Sequence, residues 1–316
     1  MIYSPRYAPR NVPHDWKLNN SVRALVHQAE ATLAAAGVAS PRYDATQIAA
    51  SLLECSPLEV GFIQLADLPA ARRLAVERDF AALIARRAAR EPLQHILGVS
   101  YFGPLELAVG PGVFIPRPET ELLADFALTQ LQQQHDAAPA ASDHKLVVLD
   151  LCAGSGAISG YLAHGLNESG IAAEIAAVEL SAPALAYTRK NVADLGVTLI
   201  HGDATDLSLL SEFIGRCDAV VSNPPYVPES STLSAEVYAD PAMAVFSGID
   251  GMEMISQLLP VMAQLVRPGG FIALEHDDTT QDQVLAQVRA TGFTKVIAHQ
   301  DWANNPRFVS AVKPSC

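Results

Sequence analysis

Residues 145–151, Lys145-Leu146-Val147-Val148-Leu149-Asp150-Leu151, run straight into Cys152-Ala153-Gly154-Ser155-Gly156, and helix signals begin immediately afterwards. An apolar run of this length that ends in glycines reads as a buried parallel strand turning into a helix. The alternation continues downstream: EIAAVEL, a helix over 183–195, VTLIH, CDAVVSN, a helix over 252–266, GFIALEH, a helix over 281–291, FTKVIA and RFVSAV. Seven strands separated by helices predict a mostly parallel sheet covered on both faces, a doubly wound α/β domain over residues 117–316.

Upstream the period changes. Leu25, Val26, Ala29, Leu33 and Ala36 recur at helical spacing behind Ser21, a plausible N-cap. A second helix starts at Ser40-Pro41, with proline at its first position. A third, over 70–89, sets Leu74, Phe80, Leu83 and Ile84 on one face and Arg72, Arg73, Arg78, Arg86 and Arg87 on the other. Residues 21–94 therefore read as a small helical domain suited to substrate recognition. Residues 1–20, punctuated by Pro5, Pro9 and Pro13, read as a flexible extension, and 95–116 (HILGVSYFGPLELAVGPGVFIP) as a hairpin linker. A helix follows from Pro118, then a polar loop over 132–145.

The 316 residues suit two domains, and 50% apolar against 17% charged residues excludes a disordered chain. No apolar run approaches the roughly 18 residues needed to cross a bilayer, and the N-terminus lacks a signal-peptide core. A cytoplasmic protein is expected. Cys55, Cys152, Cys217 and Cys316 form no C-x-x-C pair and read as buried free thiols; no metal is expected. The net charge is −13, and residues 1–95 hold 11 basic against 9 acidic side chains. The remainder of the chain is thus strongly acidic, a poor platform for a phosphate backbone. Direct nucleic-acid binding is not expected.

Acidic residues recur where these strands end. Glu179 closes the second, 29 residues after Asp150, where a carboxylate can accept from both hydroxyls of a ribose. Asp203 and Ala204 follow the third, with the carboxylate placed for an adenine amino group. Gly154 and Gly156 are followed by Ser159 and Gly160, so the dinucleotide spacing G-x-G-x-x-G is absent. An adenosine-like cofactor without a pyrophosphate, such as S-adenosylmethionine, fits better than NAD.

The fourth strand ends in Ser222-Asn223-Pro224-Pro225-Tyr226. Two prolines stiffen the turn and remove two N–H donors, so it offers carbonyl oxygens beside the Asn223 carboxamide and the Tyr226 ring. Such a frame suits a planar NH2 group: Asn223 Oδ1 and the Pro224 carbonyl can each accept one N–H while Tyr226 packs against the flat face.

This N-P-P-Y turn, downstream of an acidic glycine-rich loop, resembles class I methyltransferases that modify planar nitrogen. Phe114-Ile115-Pro116-Arg117-Pro118-Glu119-Thr120-Glu121 narrows the likeness. It is similar to the I-P-R-P-E-T-E signature of the HemK/PrmC protein-(glutamine-N5) methyltransferases, whereas the ribosomal-protein enzymes of the PrmB type usually have serine after the arginine. Ser40-Pro41-Arg42-x-Asp44-Ala45, Glu91-Pro92-Leu93-Gln94-His95-Ile96-Leu97-Gly98 and Arg267-Pro268-Gly269-Gly270 extend the likeness over most of the chain. The resemblance implies a monomeric class I S-adenosylmethionine-dependent methyltransferase, yielding S-adenosylhomocysteine and acting on the Gly-Gly-Gln glutamine of peptide-chain release factors. It places Cys152, Ala153, Gly154, Ser155, Gly156, Glu179, Asp203, Ala204 and Asn223 at the cofactor, and Asn223, Pro224, Pro225 and Tyr226 at the substrate glutamine.

The chain departs from that family at Cys152, in place of the loop's first glycine, where the backbone must avoid positive φ or accept strain. Further departures are Ala204, Glu275-His276-Asp277 for Glu-Ile-Gly, and Asn304 for glycine. His276, beside two aspartates, reads as a solvated strand terminus rather than a metal ligand or base. The competing readings are a ribosomal-protein glutamine-N5 or an N6-adenine nucleic-acid methyltransferase, and a non-catalytic S-adenosylmethionine-binding protein.

Overall fold

A computed structural model describes residues 21–137, 144–229 and 236–315. The extension 1–20 and residues 138–143 of the loop expected over 132–145 lie outside the described residues. The chain forms two compact units, residues 1–98 and 99–316.

The first unit is helical: α1 (Val22–Ala35), α2 (Pro41–Leu53), α3 (Ala70–Ala88) and the short α4 (Leu93–Leu97). Ser21 caps α1, its hydroxyl accepting from the Ala24 N–H at 3.3 Å, and Pro41 opens α2. Leu33, Ile48, Phe80 and Ile84 are buried together in one core. Two side chains of α3 depart from the amphipathic reading. Leu74 is exposed, while Arg87 turns inward and pairs with buried Asp44 at 2.7 Å. A charge inside a core needs such a partner, and removing either member costs roughly 3–5 kcal/mol.

The second unit opens with a hairpin, β1 (Val99–Phe102) and β2 (Leu105–Ala108), narrower than the stretch expected over 95–116 because residues 93–97 are helical. Next comes α5 (Pro118–Ala137), which continues through the polar residues 132–137 that read as loop; Gln132 Nε2 there donates to Ser169 Oγ at 2.9 Å. The rest alternates as expected: β3 (Leu146–Leu151), α6 (Ala157–Glu168), β4 (Ala173–Glu179), α7 (Ala182–Asn191), β5 (Thr198–His201), β6 (Cys217–Ser222), α8 (Ala242–Val245), α9 (Glu253–Leu265), β7 (Val266–Glu275), α10 (Gln281–Ala290), β8 (Thr294–Gln300) and β9 (Pro306–Val312).

The seven strands form one sheet in the order β5-β4-β3-β6-β7-β9-β8, with β9 antiparallel to both neighbours. The central strands β3 and β6 are buried along their whole length and are apolar except for Asp150, Asp218 and Ser222, which make hydrogen bonds at the strand ends. Helices α5 and α6 close one face through Leu123, Leu131 and Leu162; α9 and α10 close the other through Leu258, Met262 and Val284. Chain order reverses between β3 and β6, and in an open sheet that reversal leaves a crevice at the carboxyl ends of the strands. The opposite edge is pinned instead: buried Asp218 accepts from the Val147 N–H at 2.8 Å and from Arg267 Nε at 2.6 Å. No helix among the described residues is long and apolar enough to cross a membrane.

Candidate active site

A cavity of about 270 Å³ lies at that crevice. Cys152, Ala153, Gly154 and Ser155 line it from the loop after β3, Glu179 from the end of β4, Asp203 and Ala204 from beyond β5, and Asn223, Pro224, Pro225 and Tyr226 from beyond β6. Gly156, of the residues singled out in sequence, is not in its wall; it is the left-handed N-cap of α6, with φ +78°.

The loop after β3 is wound tightly. Cys152, Gly154 and Gly156 all have positive φ, and Cys152, at φ +62°, accepts the strain that a side chain there implies. Cys152→Val, which adds β-branching in this region, should lose about 2 kcal/mol of stability, whereas Cys152→Gly should lose none; denaturant midpoints read the difference. Of the thiols described, Cys217 is buried, but Cys55 and Cys152 are only half-buried.

Glu179 holds the loop in place. Its Oε2 accepts from the Gly154 N–H at 2.8 Å and its Oε1 from the Ser181 N–H at 2.6 Å. Each oxygen keeps a second lone pair for a ligand. Asp203 Oδ1 folds back on Thr205, accepting from its N–H and hydroxyl at 2.8 and 2.7 Å. Beneath the loop, fully buried Asp150 accepts from the Ser159 N–H at 2.9 Å through Oδ2, while Oδ1 has no partner.

Burial drives the Asp150 and Glu275 carboxyls up to about 7. Native protein therefore holds protons that the unfolded chain has already released, so this contribution to stability is present at low pH and lost as pH rises. Thermal melts should show the apoprotein less stable at about pH 8 than at about pH 5.5, each group contributing about 2 kcal/mol over that range, and Asp150→Asn should flatten the slope.

The N-P-P-Y turn is buttressed from several directions. Val227 N–H donates to Val245 O at 2.9 Å and Ser247 N–H to Val227 O at 3.0 Å, so residues after the turn pair with 245–247. Gly251, at φ +77°, lies so close that a Cβ there would stand 2.2 Å from Tyr226 O; only glycine fits. Asn223 Nδ2 donates to Thr120 Oγ1 at 3.0 Å, and the Tyr226 hydroxyl donates to Glu275 Oε1 at 2.7 Å.

Several residues of this neighbourhood were not singled out in sequence as site residues. Phe114, Arg117 and Thr120 line the cavity, although in the sequence they serve only as a family signature. Val237, Pro241 and Met243 form a further wall. Buried Asp240 ties that wall to the signature segment, accepting from the Ile115 N–H at 3.3 Å and pairing with Arg117, whose guanidinium sits 4.9 Å above the Phe114 ring. Nothing local marks Asp240 or Glu275; their partners are distant in sequence.

His276 corrects the sequence reading. It is fully buried rather than solvated, with Nδ1 against the Asp277 carbonyl at 2.8 Å, and burial holds its basicity below the usual imidazole range. It reads as a neutral core histidine. Among the described residues no cluster of His, Cys, Asp and Glu is arranged to hold a metal ion. Asn304, by contrast, takes the left-handed conformation at φ +65° that asparagine tolerates.

Residues 24–98 match the family model described as PrmC N-terminal domain, and residues 148–239 a Methyltransferase domain. The chain is 48% identical to the release factor glutamine methyltransferase of Corynebacterium glutamicum, over 91% of this chain and 97% of that one. It is 45% identical to the enzyme of the same name from Mycolicibacterium smegmatis, covering 92% and 98%, and 42% identical to that of Streptomyces coelicolor, covering 93% and 99%. With both units represented and relatives matched nearly end to end, the chain belongs to the release factor glutamine methyltransferases.

Proposed function

We propose that the protein transfers a methyl group from S-adenosylmethionine to the side-chain amide nitrogen of the Gly-Gly-Gln glutamine in peptide-chain release factors. The observation that carries this reading is the frame at Asn223. Its Nδ2 is committed to Thr120, which leaves Oδ1 as an acceptor beside the stiff Pro224-Pro225 turn, in the wall of a cavity with acidic residues on its far side.

The residues fit a cationic nucleoside. Glu179 and Asp203 place two carboxylates in the wall, and a side chain at Gly154 would meet nothing within 4 Å. Cys152, Ala153, Gly154, Ser155, Glu179, Asp203, Ala204 and Asn223 would hold S-adenosylmethionine, with Gly156 shaping the loop. When bound it supplies an electrophilic methyl group on a sulfonium centre.

An amide nitrogen is a weak nucleophile because its lone pair is delocalised, so the chain's task is positioning. Asn223 Oδ1 and the Pro224 carbonyl hold the two amide hydrogens, Tyr226 covers the flat face, and the nitrogen is aimed along the S–CH3 bond with water excluded. As the N–CH3 bond forms and the S–CH3 bond breaks, leaving S-adenosylhomocysteine, positive charge grows on nitrogen against those two oxygens, and one of the hydrogens they hold is passed as a proton to solvent when the pocket opens to release the product. No general base is required.

Mass spectrometry of a release factor incubated with the protein and cofactor is the direct test. A gain of one methyl group on the Gly-Gly-Gln peptide is expected, and no gain there overturns the reading; methylated adenine or ribosomal protein instead would transfer it to the competing classes. The helical unit is proposed to grip the rest of the substrate, with the protein acting as a monomer. Deleting residues 1–98 should raise KM for intact release factor at least about tenfold, with cofactor affinity, read by calorimetry, unchanged.

A further inference from the structure

Two segments distant in the chain line the cavity beside the Asn223 frame: Phe114, Arg117 and Thr120 from the stretch that opens α5, and Val237, Pro241 and Met243 from the stretch that includes α8. The second segment buries little of itself. Of residues 236–246 only Asp240 and Val245 are buried, while Tyr238 and Met243 are exposed. Val245 is held by backbone pairing with Val227, just beyond the N-P-P-Y turn. Asp240 holds the earlier part. Its carboxyl is fully enclosed: Oδ1 accepts from the buried Ile115 N–H at 3.3 Å, and Oδ2 accepts from Arg117 Nη2. A stretch broken by Pro116 and Pro118 cannot join a regular ladder, so a side-chain acceptor takes the place of a backbone one.

We propose that Asp240 is a positioning residue for methyl transfer: it clasps the wall 237–245 to the signature segment, and it neutralises Arg117, the one cationic side chain among the described residues that line the cavity. The role rests on the function proposed above and deepens it.

The clasp sets how the cavity closes beside the frame. Arg117 O accepts the Thr120 N–H at 3.1 Å, and Thr120 Oγ1 accepts from Asn223 Nδ2 at 3.0 Å. The segment that Asp240 holds is therefore the one against which the carboxamide rests. With the clasp open, water enters and the substrate chain is held loosely, a loss felt in binding.

The charge acts on the chemical step instead. Transfer carries positive charge onto the amide nitrogen, on the side of the cavity that Arg117 lines, and an unpaired guanidinium in a partly enclosed wall opposes it. Paired with Asp240 and 4.9 Å above the Phe114 ring, the guanidinium cross-links the two segments without presenting a net charge to the reacting nitrogen.

The test compares full-length wild type, Asp240→Asn, Arg117→Gln and the double variant, recording kcat and KM with release factor, cofactor affinity by calorimetry, and thermal midpoints. Asparagine keeps an acceptor for the Ile115 N–H and gives up the charge. KM for release factor should rise about tenfold in all three variants, with cofactor affinity staying within about threefold of wild type. In Asp240→Asn alone kcat should fall about tenfold, returning to within about threefold of wild type in the double variant, where no unpaired cation remains. A merely structural pair would move the thermal midpoints and leave kcat per folded molecule unchanged. An Asp240→Asn kcat equal to wild type per folded molecule, or one that the double variant does not recover, overturns the proposal. Should Asp240→Asn not fold, Arg117→Gln decides: a raised KM with kcat held supports the proposal, and an unchanged KM or a lowered kcat overturns it. If wild type methylates no release factor, the functional reading fails, and hydrogen exchange decides the clasp. Faster exchange in Arg117→Gln at both 114–117 and 236–246 supports it, and wild-type protection at either overturns it.

Discussion

Asn223→Ala is expected to lower methyl transfer about 10²- to 10³-fold while changing S-adenosylmethionine affinity by less than about threefold. The asymmetry follows from where the side chain sits. In the proposed mechanism its oxygen faces an amide that acquires positive charge only as the new bond forms, so the contact is stronger in the transition state than before it. Most of the cofactor contacts proposed above lie instead on the loop after β3 and on Glu179, to which Asn223 makes no hydrogen bond. Rapid-quench measurement with saturating cofactor isolates the chemical step. A variant that binds cofactor poorly yet transfers at the normal rate once loaded would remove the amide frame from the mechanism.

Glu179→Ala should show the opposite pattern, with cofactor affinity reduced at least about 100-fold, near 3 kcal/mol. The carboxylate bridges two backbone N–H groups, at Gly154 after β3 and at Ser181 after β4, both of which line the cavity. Removing it leaves both amides without their acceptor, frees the loop, and deletes the group proposed to receive the ribose hydroxyls. Titration calorimetry reads the loss directly. At saturating cofactor kcat should recover to within about tenfold; affinity equal to wild type would exclude Glu179 from the cofactor site.

The pattern of what could be read beforehand has a physical origin. Apolar runs and glycine turns are local signals, so the seven strands and the residues at their ends, from Cys152 to Tyr226, are visible in one dimension. Side chains that act through a distant partner are not. Thr120 meets Asn223 across 103 positions, and Glu275 meets Tyr226 across 49. Arg87 looks like one of several surface arginines until Asp44, 43 residues away, draws it into the core. His276 looks solvated because two aspartates follow it, yet its N–H pairs with the Arg307 carbonyl of the antiparallel strand β9. Such a strand crossing leaves no trace in local composition.

The neighbouring of β3 and β6 has a consequence for the newborn chain. Leu151 O, at the end of β3, waits for the Ser222 hydroxyl, 71 positions downstream, and β7 must follow before Glu275 can arrive. During vectorial synthesis the helical unit, built from short-range contacts, has its whole sequence available long before this. The reactive end of the sheet is therefore assembled late, and a ribosome stalled before codon 275 would leave a chain whose amino-terminal helices are in place but whose catalytic pocket lacks its foundation.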